Sequence, residues 1–193
     1  MKNKEVEVVK LLIEQRDKEL SINQIAKLLK KDYKNTHNMV IRLVKMSLVQ
    51  LQPFGRSQRV VLYNKPHPLL FEAEYGRRRE LLKNKAIAIM YDSFRRLRST
   101  FYILLVFGSY AKKTYTKHSD IDLLFIVPDR AEDSMERELY NISNTLPLKL
   151  HVHIFKETDF KAMKNSKEIT VGSEAMQHNI IIHGIESYYE LLQ

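Results

Sequence analysis

FYILLVFGSYAKKTYTKHSDIDLLFIV, residues Phe101 to Val127, decides how the rest of the chain is read. An apolar run from Tyr102 to Phe107 stops at Gly108-Ser109. A polar, lysine-bearing connection follows, and Asp120-Ile121-Asp122 opens a second apolar run, Leu123 to Val127. Short apolar runs of this length and branching predict buried strands. At Gly108 no Cβ stands between the backbone and whatever approaches it. Asp120 and Asp122 are two apart on a strand, so both carboxylates point to one face. Side by side they repel each other. A hard divalent cation such as Mg²⁺, which prefers oxygen ligands, accounts for keeping such a pair.

The chain has 193 residues, enough for one ordinary domain or two small ones, and 44% hydrophobic residues can build their cores. There is no cysteine, hence no disulfide and no thiolate metal site. No apolar run is long enough for a membrane span, and no secretory signal pattern stands at the N-terminus. A cytoplasmic protein without membrane partners is the expectation. The net charge of +9 is uneven: residues 1–65 carry 14 Lys and Arg against 6 Asp and Glu, and the other 128 residues carry 18 against 17. A basic module joined to a nearly neutral one suggests a nucleic-acid partner for the first.

Within that basic part, Val6, Val9, Leu12 and Ile13 give Glu5–Leu20 a helical apolar face. Ser21 and Gln24 have the spacing of a capping box and start a second helix, with Ile25, Ala26, Leu28 and Leu29 inward. After Lys30-Lys31-Asp32, a third helix is predicted over Tyr33–Met46. Met39, Val40, Leu43 and Val44 face inward, and Lys34, Asn35, Asn38 and Arg42 face out. The period then changes to two. Leu48–Gln52 and Arg59–Tyr63 alternate about a Pro53-Phe54-Gly55-Arg56 turn, a hairpin whose tip carries Arg56 and Arg59. Three helices and a basic hairpin resemble the winged helix-turn-helix family. The resemblance implies DNA binding, with the third helix in the major groove and the wing on phosphate. Lys34, Asn35, Asn38, Arg42, Arg56 and Arg59 would be the contacts. A homodimer reading two half-sites follows from the same geometry.

Pro66 and Pro68 mark a boundary. Beyond them, Leu81, Leu82, Ala86, Ile89, Met90, Phe94 and Leu97 predict one long helix over Arg77–Arg98. The expected organisation is 1–65 winged helix, 66–99 connector and long helix, and 100–193 a second domain. In that last part, Ala131–Leu146 predicts a helix and Lys149–Phe155 a strand, with Leu150, Val152 and Ile154 on one face and His151 and His153 on the other.

The spacing of Gly108-Ser109-Tyr110-Ala111-Lys112 to Ser119-Asp120-Ile121-Asp122-Leu123 resembles the Gly-Ser…Asp-x-Asp signature of the polymerase-beta-like nucleotidyltransferases, in their minimal single-domain form. The implied fold is α+β: a winged helix-turn-helix plus a small mixed sheet with helices packed on it. The implied activity is Mg²⁺-dependent (or Mn²⁺-dependent) transfer of a nucleoside monophosphate, AMP from ATP by default, to an acceptor. That acceptor is a protein, a small molecule or a nucleic-acid end. Asp120 and Asp122 would hold the metal. Gly108, Ser109, Lys112 and Lys113 would hold the phosphates, and Ser119 would set the start of the strand. The family's third carboxylate lies on the next core strand, where this chain has none. His151 or His153 would replace it, or Glu157 or Asp159 would reach in, or activity is lost. In that last case the chain is a DNA-binding regulator or antitoxin-like protein whose transferase fold senses nucleotide or is inactive.

Overall fold

The structure is a computed structural model, and it describes residues 4–97, 101–130, 132–164 and 170–193. It divides into two compact units, Met1–Gly76 with Leu192–Gln193, and Arg77–Leu191. The division falls inside a helix, so residues 66–76, read from sequence as connector, group with the first unit.

The first unit carries three helices, α1 (Glu5–Glu14), α2 (Ile22–Leu29) and α3 (Tyr33–Lys45), then a hairpin of β1 (Val49–Phe54) and β2 (Ser57–Leu62). This is the element order that the winged-helix resemblance implies. α1 ends earlier than the expected Leu20, and it buries Val8 with Val9, Leu12 and Ile13, while Val6 is only partly covered. Ser21 and Gln24 form the expected capping box on α2. Leu28 departs from expectation: it is 53% exposed, because Ile22, Ile25 and Ala26 already fill the narrow inward face of a two-turn helix. Asp32 caps α3 by accepting from the backbone N–H of Asn35 at 2.8 Å, and this bond holds its carboxyl below the ordinary value.

The predicted single helix over Arg77–Arg98 is two helices, α4 (Pro68–Leu81) and α5 (Lys85–Phe94). Arg98 itself lies outside the described residues. The apolar spacing runs through the break and hides it. Asn84 makes the break: its side chain accepts from the N–H groups of Ala86 and Ile87 and so restarts the chain as a new helix. Pro68 opens α4, at the end of a helix where a missing N–H costs nothing.

The second unit is built on a four-stranded mixed sheet. Its strands are β3 (Ile103–Val106), β4 (Ile121–Val127), β5 (Leu150–Lys156) and β6 (Ile180–His183), in the order β5-β4-β3-β6. β4 and β5 are parallel and the other pairs antiparallel. A four-residue helix, α6 (Gly108–Ala111), leads away from β3, and α7 (Glu132–Thr145) makes the crossover that parallel β4 and β5 require. Ala131, the expected start of that helix, lies outside the described residues. α8 (Glu157–Lys164), α9 (Val171–Gln177) and α10 (Ile185–Leu191) complete the unit.

Ile121, Leu123, Phe125 and Val127 of β4 share a core with Ile87, Met90, Tyr91 and Phe94 of α5 and Met135 and Leu139 of α7. Leu124 and Ile126, on the opposite face, are buried as well. Burial on both faces is why β4 reads as a continuous apolar run.

Tyr102 sits in this core with its hydroxyl donating to the Phe94 carbonyl at 3.1 Å. Burial, with Tyr91 nearby, pushes its phenol up to about 12. A phenol raised above its unfolded value stabilises the fold fully below the unfolded value, near pH 10. That contribution is lost as pH rises through the folded one. Stability should therefore fall by about 2–3 kcal/mol between roughly pH 10 and pH 12 on this account. Tyr102→Phe should lower stability at neutral pH by about 1 kcal/mol, for the lost hydrogen bond, and flatten the alkaline decline. Denaturant titrations at the two ends of that window measure both.

Candidate active site

The two strand runs that frame the Gly-Ser corner pair with each other. Val106 stands opposite Leu123, and the Phe107 N–H donates to the Asp122 carbonyl at 3.0 Å. The corner is thereby bound to the start of β4. Gly108 then turns the chain with φ +61, in the left-handed region that disfavours any residue with a Cβ. A Cβ there would also stand 2.1 Å from Asp122 Oδ2 and 3.0 Å from Asp122 Cγ. The glycine is required twice, by the backbone turn and by the carboxylate lying against it.

The connection between corner and acids is organised locally. Ser119 Oγ accepts from the Thr116 N–H at 2.9 Å and the Ser119 N–H donates to the Thr116 carbonyl, which closes a turn two residues before β4. Tyr110 and Tyr115 stack at 4.3 Å, and burial raises the Tyr110 phenol above its ordinary value. The Ile121 N–H donates to the Lys149 carbonyl at 2.9 Å and fixes the register of β4 on β5.

That register decides between the two histidines. Asp122 is opposite His151, and Leu124 is opposite His153. His151 Nε2 stands 3.4 Å from Asp120 Oδ2, and its Nδ1 stands 3.3 Å from Asp122 Oδ1. One imidazole thus faces both acids, from a side chain that is 60% exposed on the edge strand. His153 lies one pleat further on, with its ring 5.9 Å from that of Phe107. Glu157 and Asp159 begin α8, beyond the other end of β5. Glu157 is six positions along extended strand from His151, about 20 Å.

Other expected site residues are placed differently. Lys112 is joined to Glu174 of α9 at 2.7 Å, a partner 62 positions away with no local signal in the sequence. Lys113 closes α6 with φ +60, its N–H donating to the Tyr110 carbonyl. A separate cavity of about 590 Å³ opens at the far end of the same sheet, lined by Tyr102, Ile126, Glu157, His183 and Ser187 among others.

In donor chemistry the acid pair fits a divalent cation. Asp120 Oδ1 is buried and accepts no hydrogen bond, an acceptor left for something else to satisfy. Asp122 brings a second carboxylate to the same face, held against Gly108. As the side chains stand, different nitrogens of His151 face the two acids. Among the described residues no group of three or more His, Cys, Asp or Glu is set to hold a metal ion.

Residues 92–175 match the family model described as the nucleotidyltransferase domain. The match contains the corner, both acids and His151, and it supports nucleotidyl transfer in the general sense, with a nucleoside triphosphate as substrate. Residues 1–65 match a second family model, which carries only the designation HVO_A0114. No curated protein and no solved structure matches the chain. Among the described residues no helix is long and apolar enough to cross a membrane.

In the first unit, Asn35 and Asn38 of α3 are exposed and, with Lys30, Lys31 and Arg42, line a recess of about 360 Å³. Lys34 is exposed on the same helix, and Arg56 at the hairpin tip. Two of the expected DNA contacts already have acidic partners. Arg42 pairs with Glu5 of α1, and Arg59 with Glu19. Arg59 also donates to Gln52 across the hairpin. Neither acid could be connected to its arginine from sequence spacing.

Proposed function

We propose that the nucleotidyltransferase domain moves a nucleoside monophosphate, AMP from ATP in the first instance, onto an acceptor hydroxyl or amine. The acceptor atom bonds to the α-phosphorus, the bond to the β-phosphate oxygen breaks, and pyrophosphate leaves. The observation that carries this reading is the Asp122 carboxylate packed against Gly108, with Asp120 beside it and an unsatisfied buried oxygen on Asp120.

Asp120 and Asp122 would hold Mg²⁺ or Mn²⁺. When bound, the cation offsets charge developing on the phosphates and on the leaving pyrophosphate. The Gly108-Ser109 corner orients the triphosphate, since the missing Cβ lets phosphate oxygens approach the backbone and Ser109 offers a hydroxyl. Lys112 adds positive charge once it exchanges Glu174 for phosphate. That exchange costs little, because the pair is about 40% exposed on each side and exposed pairs contribute roughly 0–1 kcal/mol. Of the two histidines, His151 takes the third place at the acids.

Labelled ATP, with the label in the α-phosphate, incubated with Mg²⁺ and cell extract tests the reading. Label on an acceptor supports transfer. Nucleotide that binds and never transfers supports the second reading, a nucleotide-sensing regulator. The place of Glu157 and Asp159 at the start of α8, away from the acids, and the engaged state of Lys112 favour that second reading.

The first unit, on this proposal, binds DNA as a winged helix, with homodimers covering two half-sites. Its basic balance and the exposed polar face of α3 support this. Arg56→Ala should weaken binding evenly across sequences and reduce the salt slope by about 1. Glu5→Gln should strengthen binding, since it releases Arg42 for the nucleic acid. Fluorescence anisotropy on duplex DNA at several salt concentrations measures both. Unchanged affinity in both variants would mean that the unit is an interaction module.

A further inference from the structure

We propose that the open edge of β5 is a dimerisation surface, and that its partner is β5 of a second copy of this chain, paired antiparallel. The inference rests on the fold of the second unit and not on the transferase reading, since an inactive domain would pair in the same way.

β5 ends the sheet on one side and pairs only with β4. None of its seven residues is buried, whereas every residue of β4 except Asp122 is. The Ile121 N–H donates to the Lys149 carbonyl, and in a parallel ladder alternate residues of a strand bond to the same neighbour. Lys149, His151, His153 and Phe155 therefore turn their backbone groups to β4. Leu150, Val152 and Ile154 turn theirs to the open side. Exposed edges are usually kept short, bulged, or broken by proline or charge. β6, at the other side of the sheet, follows that rule: it has four residues, is mostly buried, and shifts register against β3. β5 keeps an unbroken register over seven residues, contains no proline, and carries lysine only at its last position.

The sequence of β5 matches itself in reverse. With His153 on a two-fold axis all seven residues overlap: Leu150 stands opposite Lys156, His151 opposite Phe155, and Val152 opposite Ile154. Val152 and Ile154 both face the open side, so they exchange the backbone bonds that an antiparallel ladder requires. Their side chains lie on the face that packs against the core, and apolar meets apolar there. Just outside the strand, Lys149 comes opposite Glu157 of the second copy. Opposite charges thus meet at each end of the ladder, and no two lysines do. The product joins two four-stranded sheets into one through an isologous contact. It also sets Phe155 of the second copy beside His151, at the margin of each candidate active site. A seven-residue ladder is small for a specific interface, so the association should be reversible.

The test uses the full chain, which has no cysteine of its own. Sedimentation over a concentration series should show a monomer–dimer equilibrium. Val152→Pro removes an N–H that only the second copy uses and leaves the bonds to β4 intact, as prolines on edge strands do. Each dimer loses two hydrogen bonds, so association should weaken at least ~10-fold with an unchanged circular dichroism spectrum. Separately, His153→Cys places two thiols across the axis at a Cα separation of about 4.5 Å, so mild oxidation should link the copies through a disulfide. Leu150→Cys puts its two thiols about 20 Å apart along the strands and should not link.

A monomer at every concentration overturns the proposal and leaves the edge to a strand of a different protein. A dimer that Val152→Pro leaves unchanged and His153→Cys fails to link also overturns it, because the contact then lies elsewhere. Linkage of Leu150→Cys as efficient as that of His153→Cys does the same. None of these outcomes touches the transferase reading.

Discussion

Gly108→Ala should abolish nucleotide transfer and also destabilise the second unit. A single methyl group does both because Gly108 answers two requirements at once. Its φ of +61 costs an alanine about 1–2 kcal/mol, whatever surrounds it. The new Cβ would stand 2.1 Å from Asp122 Oδ2, a distance that no real pair of atoms tolerates. The contact is relieved only if the carboxylate swings away or the corner unwinds from β4, where the Phe107 N–H is bound to the Asp122 carbonyl. Either movement separates the acid from the corner. A displacement of about 1 Å at a reacting site costs ~10²-fold in rate, so transfer should fall at least that far. A denaturant melt and a transfer assay on one preparation would show both losses. Full activity in Gly108→Ala would mean that the corner and the acid do not act together.

Asp122→Asn should give the opposite combination: activity lost and stability kept or slightly raised. Asparagine has the same shape, so the fit against Gly108 survives. What disappears is one of two neighbouring negative charges. Removing one relieves their repulsion when no cation is bound, so the unfolding midpoint should hold or rise. Removing it also takes away a charged ligand from the reaction, and loss of one electrostatic contact at a reacting centre costs roughly 10²–10³-fold. The two variants separate placement from charge. One loses activity by moving a carboxylate, the other by neutralising it in place. If Asp122→Asn transferred nucleotide at the wild-type rate, the acid would be structural, and the sensing reading would gain what the transferase reading lost.

Much of this arrangement was legible in the chain itself. The apolar runs that flank the Gly108–Asp120 connection are β3 and β4; Asp122 lies on β4 and Asp120 just before it, not on the strand as its spacing suggested, and both carboxylates stand near His151. The capping box at Ser21 and the hairpin after α3 were readable for the same reason: local chemistry and local period produce them. What could not be read depends on pairings between distant segments. His151 and His153 share one strand face, and only the register of β5 on β4 distinguishes them. The hold of Glu174 on Lys112, and of Glu5 on Arg42, spans long stretches of chain with no periodic trace. The break between α4 and α5 was hidden differently. Apolar residues keep helical spacing straight through it, and the one local signal is the capping side chain of Asn84.

The most direct measurement of the central claim is the crystal structure of the protein with Mn²⁺ and a non-hydrolysable ATP analogue, with the ion located by its anomalous scattering. The account predicts a peak between Asp120 and Asp122, with the triphosphate running along Gly108-Ser109. A peak elsewhere, or a nucleotide seated in the cavity at the far end of the sheet beside Tyr102 and His183, would contradict it.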